Sequence, residues 1–227
     1  MFPSQRVLLE DNHLLVVNKM PSEIVQGDKT GDQPLSETLK HYLKVKYNKQ
    51  GNVFIGVVHR IDRPVSGAVV FAKTSKALTR LNNMVKQRTL KKTYWAIVKQ
   101  PPPKTEDTLT HFLVRNQKKN KSFAYKKPVE NSKEALLSYK LIAASNDYYL
   151  LEIDLHTGRH HQIRAQLAAI GCPIKGDLKY GFPRSNPDAS ISLHARKIEF
   201  IHPVKKEPVV VVAPPPKDAL WNYFSSL

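Results

Sequence analysis

The segment Val57-Val58-His59-Arg60-Ile61-Asp62-Arg63-Pro64-Val65-Ser66-Gly67 runs from apolar residues into a polar loop holding one carboxylate, one histidine and two arginines. Loops at strand ends are where reactive groups are commonly presented, so the chemistry on offer is that of a single carboxylate beside cations. Taken alone, the segment reads first as a turn in which Asp62 caps local backbone and the arginines are solvated. A second segment, Leu155-His156-Thr157-Gly158-Arg159-His160-His161-Gln162-Ile163-Arg164, continues through Ala165 to Gly171-Cys172-Pro173-Ile174-Lys175-Gly176-Asp177. Basic side chains at a helix start, such as Arg159, can meet phosphate with the help of free backbone N–H groups. Arg164 lies off the apolar stripe of Ile163, Leu167 and Ile170 and can point at a site beside a sheet. A third segment, Lys91-Lys92-Thr93-Tyr94-Trp95-Ala96, could stack a base on Tyr94 and hold phosphate with its lysines, or be an ordinary strand with a half-buried aromatic.

His156, His160 and His161 invite a metal reading. Gly158 interrupts the helix that an i, i+4 histidine pair would need, and no third ligand or zincin-like Glu is spaced to join them, so no metal is expected. There is no GxGxxG and no Walker loop, so neither a redox cofactor nor a nucleotide is expected. Asp177 reads as part of a structural turn.

Charge narrows the partner. Lys plus Arg number 36 against 19 Asp plus Glu, for a net charge of +17 over 227 residues. An excess of that size favours a polyanion. Its distribution is sharper still: from Arg63 to Thr105 there are ten Lys or Arg and no acid, a block suited to phosphate contacts. No run reaches the roughly 18 apolar residues of a membrane helix. No basic amphipathic helix with an aromatic face suggests a membrane surface. The first residues lack the layout of a signal peptide. The single cysteine, Cys172, excludes an internal disulfide framework, and a reducing cytoplasm fits. No coiled-coil repeat demands an oligomer and no obligate protein partner is evident, so a monomer is expected.

The elements that must position these residues are legible in outline. Arg6–Glu10 and His13–Lys19 read as a hairpin about Asp11-Asn12. Residues 20–33 read as loop, and Pro34–Tyr47 as a helix with Leu35, Leu39, Tyr42, Leu43 and Tyr47 at helical spacing. Gly56–Arg60 and Ala68–Ala72 read as strands flanking a loop at 61–67. Ser75 is expected to cap a helix through Arg88, and Thr93–Val98 to form the next strand. Strand candidates follow at Thr108–Val114, Ala135–Ile142 and Tyr148–Leu155. Lys118–Lys127, with five lysines, reads as an exposed hairpin or mobile loop. Arg159–Ile170 reads as a helix stopped by Gly171, Ser190–Phe200 and Glu207–Val212 as late strands, and Lys217–Phe224 as a terminal helix. Without repeats or a convincing boundary, the expectation is one α+β domain over residues 1–227, a mixed and mainly antiparallel sheet flanked by helices and loops.

The three segments, in this order, resemble the RluA family of RNA pseudouridine synthases. The resemblance is carried by His59-Arg60-Ile61-Asp62, Ser66-Gly67, Lys92-Thr93-Tyr94, Gly158-Arg159-His160-His161-Gln162-Ile163-Arg164 and Gly171-Cys172-Pro173-Ile174-Lys175-Gly176-Asp177. Glu10–Lys19 and Ser192-Leu193-His194-Ala195 are also similar to family segments, and the likeness runs over about residues 6–212. Ile61, Val65, His160, Gln166 and Met20-Pro21-Ser22 depart from the usual pattern. Too few residues precede Arg6 for the small S4-like RNA-binding domain that some relatives carry, so a catalytic domain alone is expected.

The resemblance implies an isomerase that converts uridine to pseudouridine in RNA without a cofactor. It implies Asp62, Tyr94 and Arg164 as catalytic residues. Asp62 would either add covalently or remove a sugar proton, Tyr94 would stack on the uracil and could shuttle a proton, and Arg164 would pair with Asp62. Arg60 would fill the space of a uridine that has left its stack, Leu193 would pack against the base, and His59, Arg63, Lys92, Arg159 and Ile163 would complete the substrate site. A stem-loop of ribosomal or transfer RNA is the implied target. Two other classes compete. A basic RNA-binding protein without catalysis explains the charge but not Asp62 among phosphates. A glycoside or nucleoside hydrolase would need two opposed carboxylates.

Overall fold

A computed structural model describes residues 2–28 and 31–227. In chain order the elements are β1 (Val7–Glu10), β2 (Leu14–Lys19), α1 (Leu35–Lys46), β3 (Gly56–Val57), β4 (Ser66–Ala72), α2 (Ser75–Gln87), β5 (Lys91–Val98), β6 (Glu106–Asn116), β7 (Lys121–Tyr125), β8 (Lys133–Ala144), β9 (Tyr149–Leu155), α3 (Gln162–Ala169), β10 (Leu193–Ile201), β11 (Pro208–Val212) and α4 (Ala219–Ser225). The class is α+β, a mainly antiparallel sheet with helices flanking it. No helix among the described residues is long and apolar enough to cross a membrane. The chain forms two compact units: residues up to Leu90 with Ala195–Pro214, and Lys91–His194 with Pro215–Leu227.

In the first unit the strand order is β1-β2-β4-β10, with β3 also on β4 and β11 on β10. β2 and β4 are buried at every position, which is why Leu14-Leu15-Val16-Val17 and Ala68-Val69-Val70-Phe71-Ala72 are continuous rather than alternating apolar runs. Leu14, Val16, Ala68 and Val70 pack on Ala77 and Leu81 of α2 and on Ile198, Val209 and Val211 of the late strands. α1 buries Leu35, Leu39, Tyr42 and Leu43 as their spacing predicts, but Tyr47 caps the helix end and stays exposed, its hydroxyl donating to Glu10. Thr74, not Ser75, caps α2: its hydroxyl accepts the Ala77 N–H at 3.2 Å, because Thr74 keeps the extended backbone that a cap requires.

In the second unit the order is β5-β9-β8-β6-β7, with antiparallel pairing throughout. The lysine-rich segment is the hairpin of the two readings: β7 pairs with β6 from Phe112 opposite Tyr125 to Asn116 opposite Lys121. α3 packs Ala165 against Leu113 and Ala135, and α4 lays Trp221 and Phe224 over Ile97 and Leu150.

Two expected elements are shorter than their patterns. β3 ends at Val57 because the Val70 N–H is taken by the His59 ring, at 3.1 Å to Nε2, and not by a continuing strand. α3 begins at Gln162 because Arg159–His161 form a preceding turn. His161 is left-handed at φ 53°, and the Gln162 side-chain oxygen accepts from Thr157 Oγ1 at 2.7 Å and from the Arg159 N–H at 3.0 Å.

Gly67 explains the Ser-Gly pair after the acidic loop. Its φ is 118°, and a Cβ there would fall within 2.8 Å of the Ala195 backbone on β10. Only glycine permits that conformation and that approach together. Gly67→Ala is expected to cost roughly 2–4 kcal/mol of stability, measurable by urea unfolding, whereas Gly171→Ala, equally left-handed but in open space, should lose less.

Candidate active site

The Asp62 loop is assembled within the first unit by contacts that leave its polar residues at the surface. Ile61 and Val65 are buried on either side of it, while Asp62 is half-buried and Arg60 and Arg63 are exposed. The Asp62 carbonyl accepts the Val65 N–H at 3.0 Å, closing a turn over Arg63-Pro64. His59, by accepting from Val70, ties the loop's entry to β4. The turn reading of this segment is therefore correct for its backbone.

The Arg63 carbonyl is the second anchor. It accepts from the Ser22 N–H at 3.0 Å and from Lys19 Nζ at 3.1 Å. Lys19 also donates to the Met20 carbonyl at 2.8 Å and is fully buried at the end of β2. The Glu23 carboxylate accepts from the Met20 N–H at 2.9 Å and pairs with Arg6. Arg63 itself pairs with Asp32 at 2.6 Å on the surface. Burial pushes the Lys19 ammonium down to about 7, against the opposing pull of the Glu23 and Asp62 carboxylates and with a further push from Arg6 and Arg63. Sequence reading missed this lysine. Its signal was a cation closing a strand whose first four residues, Leu14-Leu15-Val16-Val17, are apolar and which is buried at every position.

The second unit carries the other expected residues. Tyr94 is only 6 % exposed and sits on β5 opposite Ile153, so it is buried where a half-buried aromatic was expected. Lys92 shares its face at the strand period of two. The Lys92 ammonium lies 3.6 Å from where a side chain on Gly158 would begin, and burial holds its pKa below the usual lysine range. Arg159 turns its Nε to the Glu134 carbonyl at 2.9 Å. Ile163 and Leu193 are both buried.

Arg164 is buried, and its guanidinium is held from several sides. Nε and Nη2 grip the two oxygens of Asp177 at 2.7 and 2.8 Å, and Nη1 reaches His161 Nε2 at 3.1 Å. A guanidinium can only donate, so His161 Nε2 accepts and its proton sits on Nδ1. That Nδ1–H points to Tyr180 Oη at 3.0 Å, which also receives the Ser122 N–H at 2.8 Å. The Tyr180 ring lies under the guanidinium at 5.1 Å. Burial foremost, then the nearby charges of Arg164, His160, Lys179 and Arg115, push His161 down to about 2. It stays neutral at any ordinary pH and serves as an acceptor. Asp177, expected as part of a structural turn, is in that turn and is also the buried counter-ion of Arg164. The placement follows from Gly176, whose φ of 86° and crowding by Asn186 and Ser190 exclude a side chain.

The other histidines are likewise engaged. His156 meets Ser138 Oγ at 2.9 Å, and His160 meets Ser122 Oγ at 2.9 Å. Among the described residues no group of three or more His, Cys, Asp or Glu is arranged to hold a metal ion.

The fold is that of the pseudouridylate synthases. The chain superposes on human RNA pseudouridylate synthase domain containing 4 with a TM-score of 0.81, covering 97% of this chain and 92% of that one at 21% identity. Human RNA pseudouridylate synthase domain containing 1 gives 0.72, with 97% and 89% covered at 23% identity. At such identities the likeness is one of fold. A family model for RNA pseudouridylate synthase matches residues 13–169. The chain is 32% identical over 226 residues to YhcT of Bacillus subtilis, named an uncharacterized RNA pseudouridine synthase, covering 96% of this chain and 72% of that protein. It is also 32% identical over 226 residues to ribosomal large subunit pseudouridine synthase D of Xylella fastidiosa, covering 93% and 66%. This chain belongs to the RNA pseudouridylate synthase family, and it spans 66–72% of the length of these two relatives.

Two substitutions probe the supports. Asp177→Ala strands a buried guanidinium charge and should cost about 3–5 kcal/mol in urea unfolding. For Lys19, the folded pKa lies below the unfolded one. The unfolded chain therefore binds the extra proton between pH 7 and 10.5, and stability from this group rises with pH across that window. Wild type should gain about 2 kcal/mol relative to Lys19→Met between pH 7 and pH 9. A constant difference between the two proteins would mean that Lys19 titrates normally.

Proposed function

We propose that this chain isomerises uridine to pseudouridine within structured RNA, with Asp62 supplying the carboxylate and residues 1–227 working as one catalytic domain. The observation that carries the reading is the presentation of Asp62. Within a chain of this family, Asp62 is the carboxylate of a half-buried loop that Lys19, Ser22 and His59 pin through backbone groups, so its position is fixed by the fold.

The reaction breaks the bond between the ribose carbon and the uracil nitrogen, turns the base, and joins it again through carbon 5, which gives up its proton. No electron or group is gained or lost, so the residues alone suffice. Asp62 acts on the nucleotide either by covalent addition or by taking a sugar proton. Tyr94 offers a ring to the uracil and a hydroxyl that can pass a proton. Arg164 offers a cation whose orientation Asp177 and His161 hold fixed, which lowers the cost of placing it against a developing negative charge. Leu193 and Ile163 give the base an apolar surface. Arg60, exposed beside the loop, fills the space of the extruded uridine, with His59 and Arg63 shaping its surroundings. Lys92 and Arg159 serve the phosphates.

A stem-loop of ribosomal or transfer RNA is the substrate. The charge of +17 supports a polyanion, and the large-subunit name carried by the Xylella fastidiosa relative supports ribosomal RNA. The enzyme works as a monomer in the cytoplasm.

The test is tritium release from RNA labelled at uracil carbon 5, using total RNA from a strain lacking the gene. Wild type should release tritium, and Asp62→Ala should lower the rate by at least about 10⁴-fold while still binding RNA. Release by Asp62→Ala at the wild-type rate, or none by wild type, overturns the proposal.

A further inference from the structure

The edge strand β7 divides its residues between two environments. Ser122 and Ala124 face α3: the Ser122 amide meets Tyr180, its hydroxyl meets His160, and Ala124 packs on the cluster of Leu113, Ala135 and Ala165. The period of two sends Phe123 and Tyr125 to the opposite face, beside their partners Val114 and Phe112 on β6. α4 covers that face at its β5–β9 end, over Ile97 and Leu150. At the β6–β7 end the rings stand in the open, with Phe123 36 % and Tyr125 42 % exposed. Aromatic rings on an edge strand are a liability unless something uses them. Around them residues 118–133 hold six lysines and one acid, Glu130, and the Lys121 ammonium, at the edge between the two faces, lies 5.6 Å from the Phe123 ring centroid and 4.9 Å from that of Tyr180.

We propose that this open end of the sheet is a second RNA contact, on which unpaired nucleotides stack against Phe123 and Tyr125 while the surrounding lysines hold their phosphates. The inference rests on the reading that RNA is the substrate, and it assigns a role to the lysine-rich hairpin. Every base has a stacking face, so such a platform tolerates any sequence. Two residues along a strand advance about 6.7 Å, roughly twice the 3.4 Å rise of a stacked strand. Bases held there are unstacked from one another, each against its own ring. The platform therefore selects unpaired RNA over duplex, as would suit the loop or flank of a structured target.

The test uses the full chain and a fluorescein-labelled oligouridylate, with an abasic strand of the same length and a paired duplex beside it. Phe123→Ala combined with Tyr125→Ala should weaken oligouridylate binding about tenfold or more. The slope of affinity against salt should stay unchanged, and so should binding of the abasic strand and the duplex. Phe123→Trp and Tyr125→Trp should keep the affinity, and oligouridylate should quench the added indoles. Wild-type affinity in the alanine pair, or an equal loss for the abasic strand, overturns the proposal and turns attention to a protein partner for this edge. Should the alanine pair unfold, the tryptophan variants decide: quenching supports the platform and its absence at saturating oligouridylate overturns it. Tritium release keeps the two readings apart. Release by wild type without a stacking effect removes the platform and leaves the enzyme, and a stacking effect without release does the reverse.

Discussion

The turn that carries Asp62 hangs on a lysine with no solvent around it. Lys19 donates to the carbonyls of Met20 and Arg63 from a fully buried position, so it joins the end of β2 to the loop before β4. Burying an ammonium costs several kcal/mol; here the carbonyls and the nearby Glu23 and Asp62 carboxylates offset that cost in part. The arrangement explains why the loop can be short and polar and still keep one shape. Its anchors are backbone groups and inward apolar residues, Ile61 and Val65.

A comparable economy governs Arg164. A lone buried guanidinium would be intolerable, and the second unit meets its demand with Asp177, the acceptor nitrogen of His161 and the ring of Tyr180. Each support is itself fixed. Asp177 follows a glycine that no side chain could replace, and Tyr180 is tied to β7 by the Ser122 amide. The basic hairpin and the arginine are thus mechanically connected through Tyr180 and His161, two residues whose polar atoms serve as relays of position.

The basic block from Arg63 to Thr105 takes a definite form in the structure. Lys76, Lys86 and Arg88 are exposed along and just beyond α2, while Lys73 turns back to the Glu10 carboxylate at 3.0 Å. Composition announces a polyanion but does not say which cations meet it and which are spent within the fold. Glu10 alone engages Lys46, Lys73 and the hydroxyls of Tyr42 and Tyr47; burial would raise its carboxyl, and the bonds from Lys46, Tyr47 and Lys73 hold it down at about 2.

By itself the sequence determined the fold class and most of the strands and helices. Those properties live in local pattern: the double-sided burial of β2 and β4, the helical spacing in α1 and α2, and motifs whose order survives in one dimension. It also placed Asp62, Tyr94 and Arg164 in the right loop, strand and helix. What only the tertiary structure decided is which partner each charge takes. The shortened β3 and α3 come from side chains, His59 and Gln162, that capture backbone donors or orient a turn across a fold. Lys19 and Asp177 became supports through contacts 44 and 13 residues away along the chain. Hydrogen bonds and ion pairs are set by distance in space, and a residue type in a string carries no record of what lies beside it once the chain has closed.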